Sequence, residues 1–108
     1  MSYADRLRHL ALNDANLGAE LGAETTLEPR ELAMVRLAAL VAIGGAEPSY
    51  GSEVDDALAV GLTPAEIVDV LAGVTPIVGL PIAVAAGEKV ALALGVEVLG
   101  VDGGDGFG

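Results

Sequence analysis

Signals for the starts and ends of α-helices recur along this sequence at spacings of a dozen or more residues. The clearest lies at residues 63–66 (TPAE), where a threonine suited to N-capping precedes a first-turn proline and a glutamate that can bond back to the cap. No long stretch alternates apolar and polar residues with the period of two that a half-buried strand requires. The sequence therefore predicts an all-α fold.

We expect a compact domain of five to six helices over residues 1–98, followed by an acidic, glycine-rich tail at residues 99–108. The predicted helices are residues 3–21, a second that begins near Pro29 and ends at Gly44, a third capped by Ser49 or Ser52 and ended by Gly61, a fourth that begins at Pro64, and a fifth over residues 82–94. The segment PIVGLP at residues 76–81 should bend or break the chain between the last two helices.

The composition is apolar and strongly acidic. Of 108 residues, 53% are apolar, with a mean hydropathy of +0.60. That balance suggests a homo-oligomer that buries apolar faces between subunits. The net charge of −11 is uneven, because residues 37–108 carry Lys89 as their only cation against ten acids. Such a surface repels phosphate backbones, so we expect no nucleic-acid partner.

One stretch approaches the length of a membrane span. Residues 70–87 are 18 residues without a charge. Pro76, Gly79 and Pro81 interrupt them, and no basic cluster flanks them, so a helical hairpin buried in protein is the better interpretation. Residues 1–12 mix charges where a signal peptide would need an apolar core. We therefore expect a cytoplasmic protein that does not bind membranes.

Four short motifs occur in an order and spacing that resemble a known family. They are LEP at residues 27–29, VRLAAL at 35–40, GLTPAEI at 61–67 and VGLP at 78–81. Together they resemble the carboxymuconolactone decarboxylase family, which includes the alkylhydroperoxidase D proteins, over about residues 5–98. The resemblance implies an alkylhydroperoxidase D-like helical fold, assembly into trimers or hexamers, and an active site near the second and third helices.

The chain departs from both chemistries of that family. The peroxidase branch uses two cysteines and a histidine, and the matching positions read Ala46, Ser49 and Glu53. Because the chain has no cysteine, it has no thiolate to attack a peroxide, and thiol peroxidase activity is excluded. The decarboxylase branch typically has a Glu in the second helix and a His at the start of the third, where this chain has Ala33 and Glu53.

The remaining candidate chemistry is decarboxylation of a small acidic lactone. This reaction needs a cation or donors to hold the carboxylate and a proton donor to quench the carbanion, while the unsaturated lactone itself accepts the electrons. No cofactor or metal is required. The candidate groups are Arg36 and Ser49 for substrate binding and Glu53 as the catalytic proton donor, if burial keeps its carboxyl protonated.

Each of these assignments has a structural alternative. Arg36 could pair with Glu31, Glu47 or an acid of a neighbouring subunit, and Glu53 could be a solvated acid in the first turn of its helix. The single histidine, His9, is expected on the surface of the first helix. On that interpretation the chain is a catalytically silent family member, which acts as an oligomeric scaffold or binds a small acidic or apolar ligand.

Overall fold

The computed structural model describes residues 2–12 and 25–98, which form five α-helices and no strand. The all-α prediction is confirmed. In chain order the helices are α1 (Tyr3–Ala11), α2 (Pro29–Ile43), α3 (Glu47–Ala59), α4 (Pro64–Val78) and α5 (Leu80–Leu94). The predicted end of the first helix at residue 21 is wrong, because α1 ends at Ala11 with Leu12 as its C-cap. Residues 13–24 and the predicted tail at residues 99–108 lie outside the described residues.

The start of α4 is fixed by the predicted capping box. The Thr63 hydroxyl accepts a hydrogen bond from the Glu66 backbone N–H at 3.1 Å, and the Glu66 carboxylate accepts one from the Thr63 N–H at 2.9 Å. Pro64 occupies the first turn, where its missing N–H costs no intrahelical hydrogen bond. The helix therefore begins where residues 63–66 predict.

Four helices pack as a bundle in which α2 and α5 each contact both α3 and α4. Buried core residues recur at spacings of three or four on α2, α3 and α5, which places them on one face of each of these helices. The helix α4 contributes Ile67, and the turn between α3 and α4 contributes Leu62. The core consists of Ala33, Leu37, Val41, Tyr50, Val54, Ala57, Leu62, Ile67, Ala86 and Val90. This arrangement makes α2 and α3 a hairpin with a groove along their junction.

The prediction for the start of α3 is wrong. Neither Ser49 nor Ser52 caps this helix, because it already begins at Glu47 after Ala46. Pro48 suits the first turn, and the Ser49 and Tyr50 backbone N–H groups both donate to the Ala46 carbonyl. Consequently Ser49 and Ser52 lie within the helix, three residues apart on one face.

The break between α4 and α5 lies at Gly79, inside the segment where a break was predicted. Pro76 does not end α4, which continues to Val78. Gly79 then adopts φ 89° and ψ 158°, a conformation that is essentially restricted to glycine, and α5 begins at the next residue. None of the described helices is long and apolar enough to cross a bilayer.

Lys89 connects α5 to the α2–α3 turn. Its Nζ donates a hydrogen bond of 2.9 Å to the Gly45 carbonyl and lies 5.8 Å from the centroid of the buried Tyr50 ring. Burial raises the pKa of the Tyr50 hydroxyl above its ordinary value. The lysine therefore satisfies a carbonyl just beyond the end of α2 and makes a cation–π contact with the core.

Candidate functional site

The three predicted site residues lie at one cleft. Arg36 on α2 and Ser49 and Glu53 on α3 line a cavity of about 390 Å³ at the junction of these helices. Glu53 is half-buried, whereas Arg36 and Ser49 are exposed. The other lining residues are Ala39, Leu40, Ile43 and Ser52. A guanidinium, two hydroxyls and a carboxylate therefore share one opening with an apolar wall.

A second cleft of about 330 Å³ continues the first along the same junction, and Arg36 and Glu53 line both. Its other lining residues are Pro29, Leu32, Ala33, Asp56, Ala59 and Val60. On each helix the lining residues recur every three or four positions, so they follow one face. We call the two clefts together the α2–α3 groove, with a serine end at Ser49 and Ser52 and an aspartate end at Asp56.

The charges along the α2–α3 groove are arranged asymmetrically. Arg36 and Glu53 stand in the middle, the serine end adds hydroxyls that can donate to an anion, and the aspartate end adds a second carboxylate. A ligand carboxylate bound to Arg36 is repelled less at the serine end than at the aspartate end, because Asp56 adds a second negative charge there. The apolar residues Leu32 and Val60 leave the aspartate end suited to the uncharged part of a ligand.

Within the described chain, Arg36 has no ion-pair partner. The ion pairs found there are Arg8 with Asp5 and Arg30 with Glu66, so the expected structural pairing of Arg36 with Glu31 or Glu47 does not occur in a single chain. The guanidinium is therefore available to an anionic ligand, which would gain a charge-assisted hydrogen bond.

The alternative role of Glu53 as a first-turn acid is also not found. Because α3 begins at Glu47, Glu53 lies in the second turn, beyond the part of the helix where its dipole stabilises a carboxylate most. The carboxylate is half-buried at the middle of the groove. Burial of the Glu53 side chain is therefore partial.

Sequence reasoning missed Ser52 and Asp56, which also line the groove. They lie three residues from Ser49 and from Glu53 on α3, so their spacing would have identified them if the start of α3 had been placed correctly.

His9 lies on the exposed surface of α1 and lines no cleft identified in the described chain. Residues 2–12 and 25–98 contain no group of three acidic or histidine side chains placed to hold a metal ion.

Comparison with known proteins identifies the family. The model of the carboxymuconolactone decarboxylase family matches residues 9–92, which include α2, α3 and α4 in full, most of α5 and all residues that line the α2–α3 groove. No curated protein and no solved structure matches the chain. The match extends over most of the 108 residues. The chain therefore belongs to the carboxymuconolactone decarboxylase family.

Proposed function

We propose that the α2–α3 groove binds a small carboxylated lactone and decarboxylates it without a cofactor. The observation that carries this proposal is the convergence of Arg36, Ser49 and Glu53 on one cleft while Arg36 lacks an ion-pair partner in the described chain. Family membership supports the same class of substrate.

In the proposed reaction, Arg36 holds the substrate carboxylate at the serine end of the groove, where Ser49 donates a second hydrogen bond. The bond between the carboxylate carbon and the ring breaks, carbon dioxide leaves, and the electron pair enters the conjugated lactone as an enolate. Glu53, in its protonated form, then delivers a proton to the ring carbon. Leu40 and Ile43 form the apolar wall of the cleft beside the lactone ring.

The test is the ultraviolet absorbance change of γ-carboxymuconolactone incubated with the protein and its variants. We expect Glu53→Gln to reduce turnover by about 10²-fold or more, because loss of a positioned proton donor typically costs about 10² to 10⁴. Arg36→Gln should weaken substrate binding by about tenfold to a hundredfold, as expected for loss of one charged hydrogen bond. Asp55→Asn is the matched control, since Asp55 is an exposed acid on α3 outside the groove. Full turnover in Glu53→Gln would contradict the proposal.

A second candidate function is ligand binding without catalysis. Ala33 supports it, because a buried alanine at the groove replaces the glutamate that the decarboxylase branch typically carries. Calorimetry with the same lactone separates the two functions. Binding that depends on Arg36 but releases no carbon dioxide would identify the groove as a binding site only.

We also propose that the chain works as a homo-oligomer, with a trimer or hexamer as the form that the family resemblance implies. Sixteen large apolar side chains are exposed in the described chain, against ten apolar residues in its buried core. Exposure on this scale is typical of a surface covered by another subunit. Sedimentation velocity over a range of concentrations tests the proposal, and a single monomeric species throughout would contradict it.

A further inference from the structure

The apolar side of α1 has no partner in the described chain. Tyr3, Leu7 and Leu10 recur at spacings of four and three, so they form one line along the helix, which we call the α1 stripe. Their side chains are between 56% and 84% exposed, and α1 contacts none of the four bundle helices. Isolated helices shorter than about 12 residues are marginal in water, so this nine-residue helix needs a surface to pack on.

A second uncovered apolar surface lies where α4 meets α5. Ile77, Leu80 and Val84 are between 59% and 86% exposed, and we call them the apolar corner. All three lie in the stretch between Asp69 and Glu88, which contains no charged residue. Leu80, Val84 and Glu88 follow one another at intervals of four along α5, which places a carboxylate at the end of an apolar line.

We propose that the α1 stripe of one chain packs on the apolar corner of a second copy, with Arg6 facing Glu88 of that copy. The lengths are comparable, because the α1 stripe rises about 10 Å from Tyr3 to Leu10 and the line from Leu80 to Glu88 on α5 rises about 12 Å. Within its own chain α1 does not contact the corner.

The charges on α1 favour the same partner. Arg6 follows Tyr3 by three residues and borders the stripe, whereas Arg8 lies on the polar side and pairs with Asp5 at 2.9 Å. The described residues 37–98 of the second copy carry eight acids and one lysine, which favours a cationic partner. The stripe and the corner are different surfaces, so each copy can place its stripe on one neighbour and receive the stripe of another on its corner. Such head-to-tail contacts form a closed ring when the rotation between copies permits.

Cysteine cross-linking tests the contact directly, because the natural chain has no cysteine. Leu7→Cys in a tagged chain is co-expressed with Val84→Cys in an untagged full-length chain and oxidised mildly. We expect a mixed disulfide dimer of the two chains. The matched control replaces Val84→Cys by Leu58→Cys, an exposed leucine of α3 outside the corner, and should give none.

Two results would overturn the proposal. One is the absence of the mixed dimer, or its formation equally with Leu58→Cys. The other comes from a chain that carries both Leu7→Cys and Val84→Cys, diluted into an excess of untagged natural chain before oxidation. A disulfide within that single chain would show that α1 packs on its own corner.

Charge reversal tests the pairing of Arg6 with Glu88. Arg6→Glu should weaken assembly in sedimentation experiments by a few fold, as is typical of a surface ion pair. Glu88→Arg combined with Arg6→Glu should restore it, and low salt should enlarge both effects. Failure of the double variant to regain assembly would contradict the pairing. These residues do not line the α2–α3 groove, so turnover of the lactone reports on the proposed function separately.

Discussion

At the scale of single residues, Glu66 makes the densest set of polar contacts in the described chain. Its carboxylate accepts hydrogen bonds from the Thr63 backbone N–H and from Arg30, whose guanidinium also donates to the Gly61 carbonyl. The hydrogen bond from the Thr63 backbone lowers the pKa of Glu66 most, and the bond from Arg30 lowers it further. One carboxylate thereby joins the start of α4 to the first turn of α2.

The lowered pKa makes this contribution to stability depend on pH. Because the pKa is lower in the folded chain than in the unfolded chain, the stabilisation is complete above the ordinary range for glutamate and is lost as the pH falls through the lowered pKa. We expect Glu66→Gln to unfold at a lower temperature than the natural chain at pH 7, and the difference to narrow toward pH 2. Thermal unfolding by circular dichroism measures it, with Asp55→Asn as the control. A difference that is independent of pH would contradict this account.

Lys89 provides a second prediction at this scale. Lys89→Met keeps the aliphatic stem but removes both the hydrogen bond to the Gly45 carbonyl and the cation above the Tyr50 ring. We expect a loss of about 1 to 2 kcal/mol in the free energy of unfolding. Urea denaturation measures the loss. Unchanged stability would show that packing of the stem accounts for the whole role of Lys89.

At the scale of helices, the α4–α5 hairpin depends on one backbone conformation. Gly79 has φ 89°, and a Cβ added there would meet no atom closer than 3.9 Å, so the cost of a side chain is conformational and not steric. We expect Gly79→Ala to destabilise the fold by about 1 to 3 kcal/mol. Gly73→Ala is the control, because Gly73 lies inside α4 with open space around it, and that change should stabilise the fold by up to about 1 kcal/mol. Urea denaturation of both variants measures the difference, and equal stabilities would contradict the prediction.

The helices show which sequence signals suffice for prediction. The start of α4 was predictable because the capping box joins residues only three apart. The start of α3 was not, because Ala46 is a poor capping residue and Ser49 a favourable one, yet the backbone N–H groups of the first turn bond to the Ala46 carbonyl. Pro76 lies inside α4, and the helix ends only at Val78, before Gly79.

The α2–α3 groove was predictable only through the family resemblance. Arg36 and Glu53 are 17 positions apart, and no local pattern shows that two helices bring them to one cleft. The resemblance located the site at the second and third helices. In the structure, the packing of α2 against α3 brings Arg36 and Glu53 to the same cleft. Once the start of α3 is known, the spacing of three residues from Glu53 also places Asp56 on this face.

At the scale of the whole molecule, the net charge of −11 opposes the compact state by self-repulsion. Raising the salt concentration from about 0.01 M to about 0.15 M shortens the Debye length from about 30 Å to about 8 Å. We expect the melting temperature to rise over this range, because the repulsion involves many acids and the described chain has only two ion pairs to weaken. Differential scanning calorimetry measures the shift. A fall in melting temperature would show that the ion pairs outweigh the repulsion.

The sharing of Arg36 and Glu53 by both clefts limits how many ligands the groove can hold. An acid bound at either end neutralises the same guanidinium. A second acid at the aspartate end would find Arg36 already paired with the first acid. It would also be repelled by the carboxylates of Glu53 and Asp56. Although the groove is long enough to resemble two sites, we expect it to bind one acid per chain.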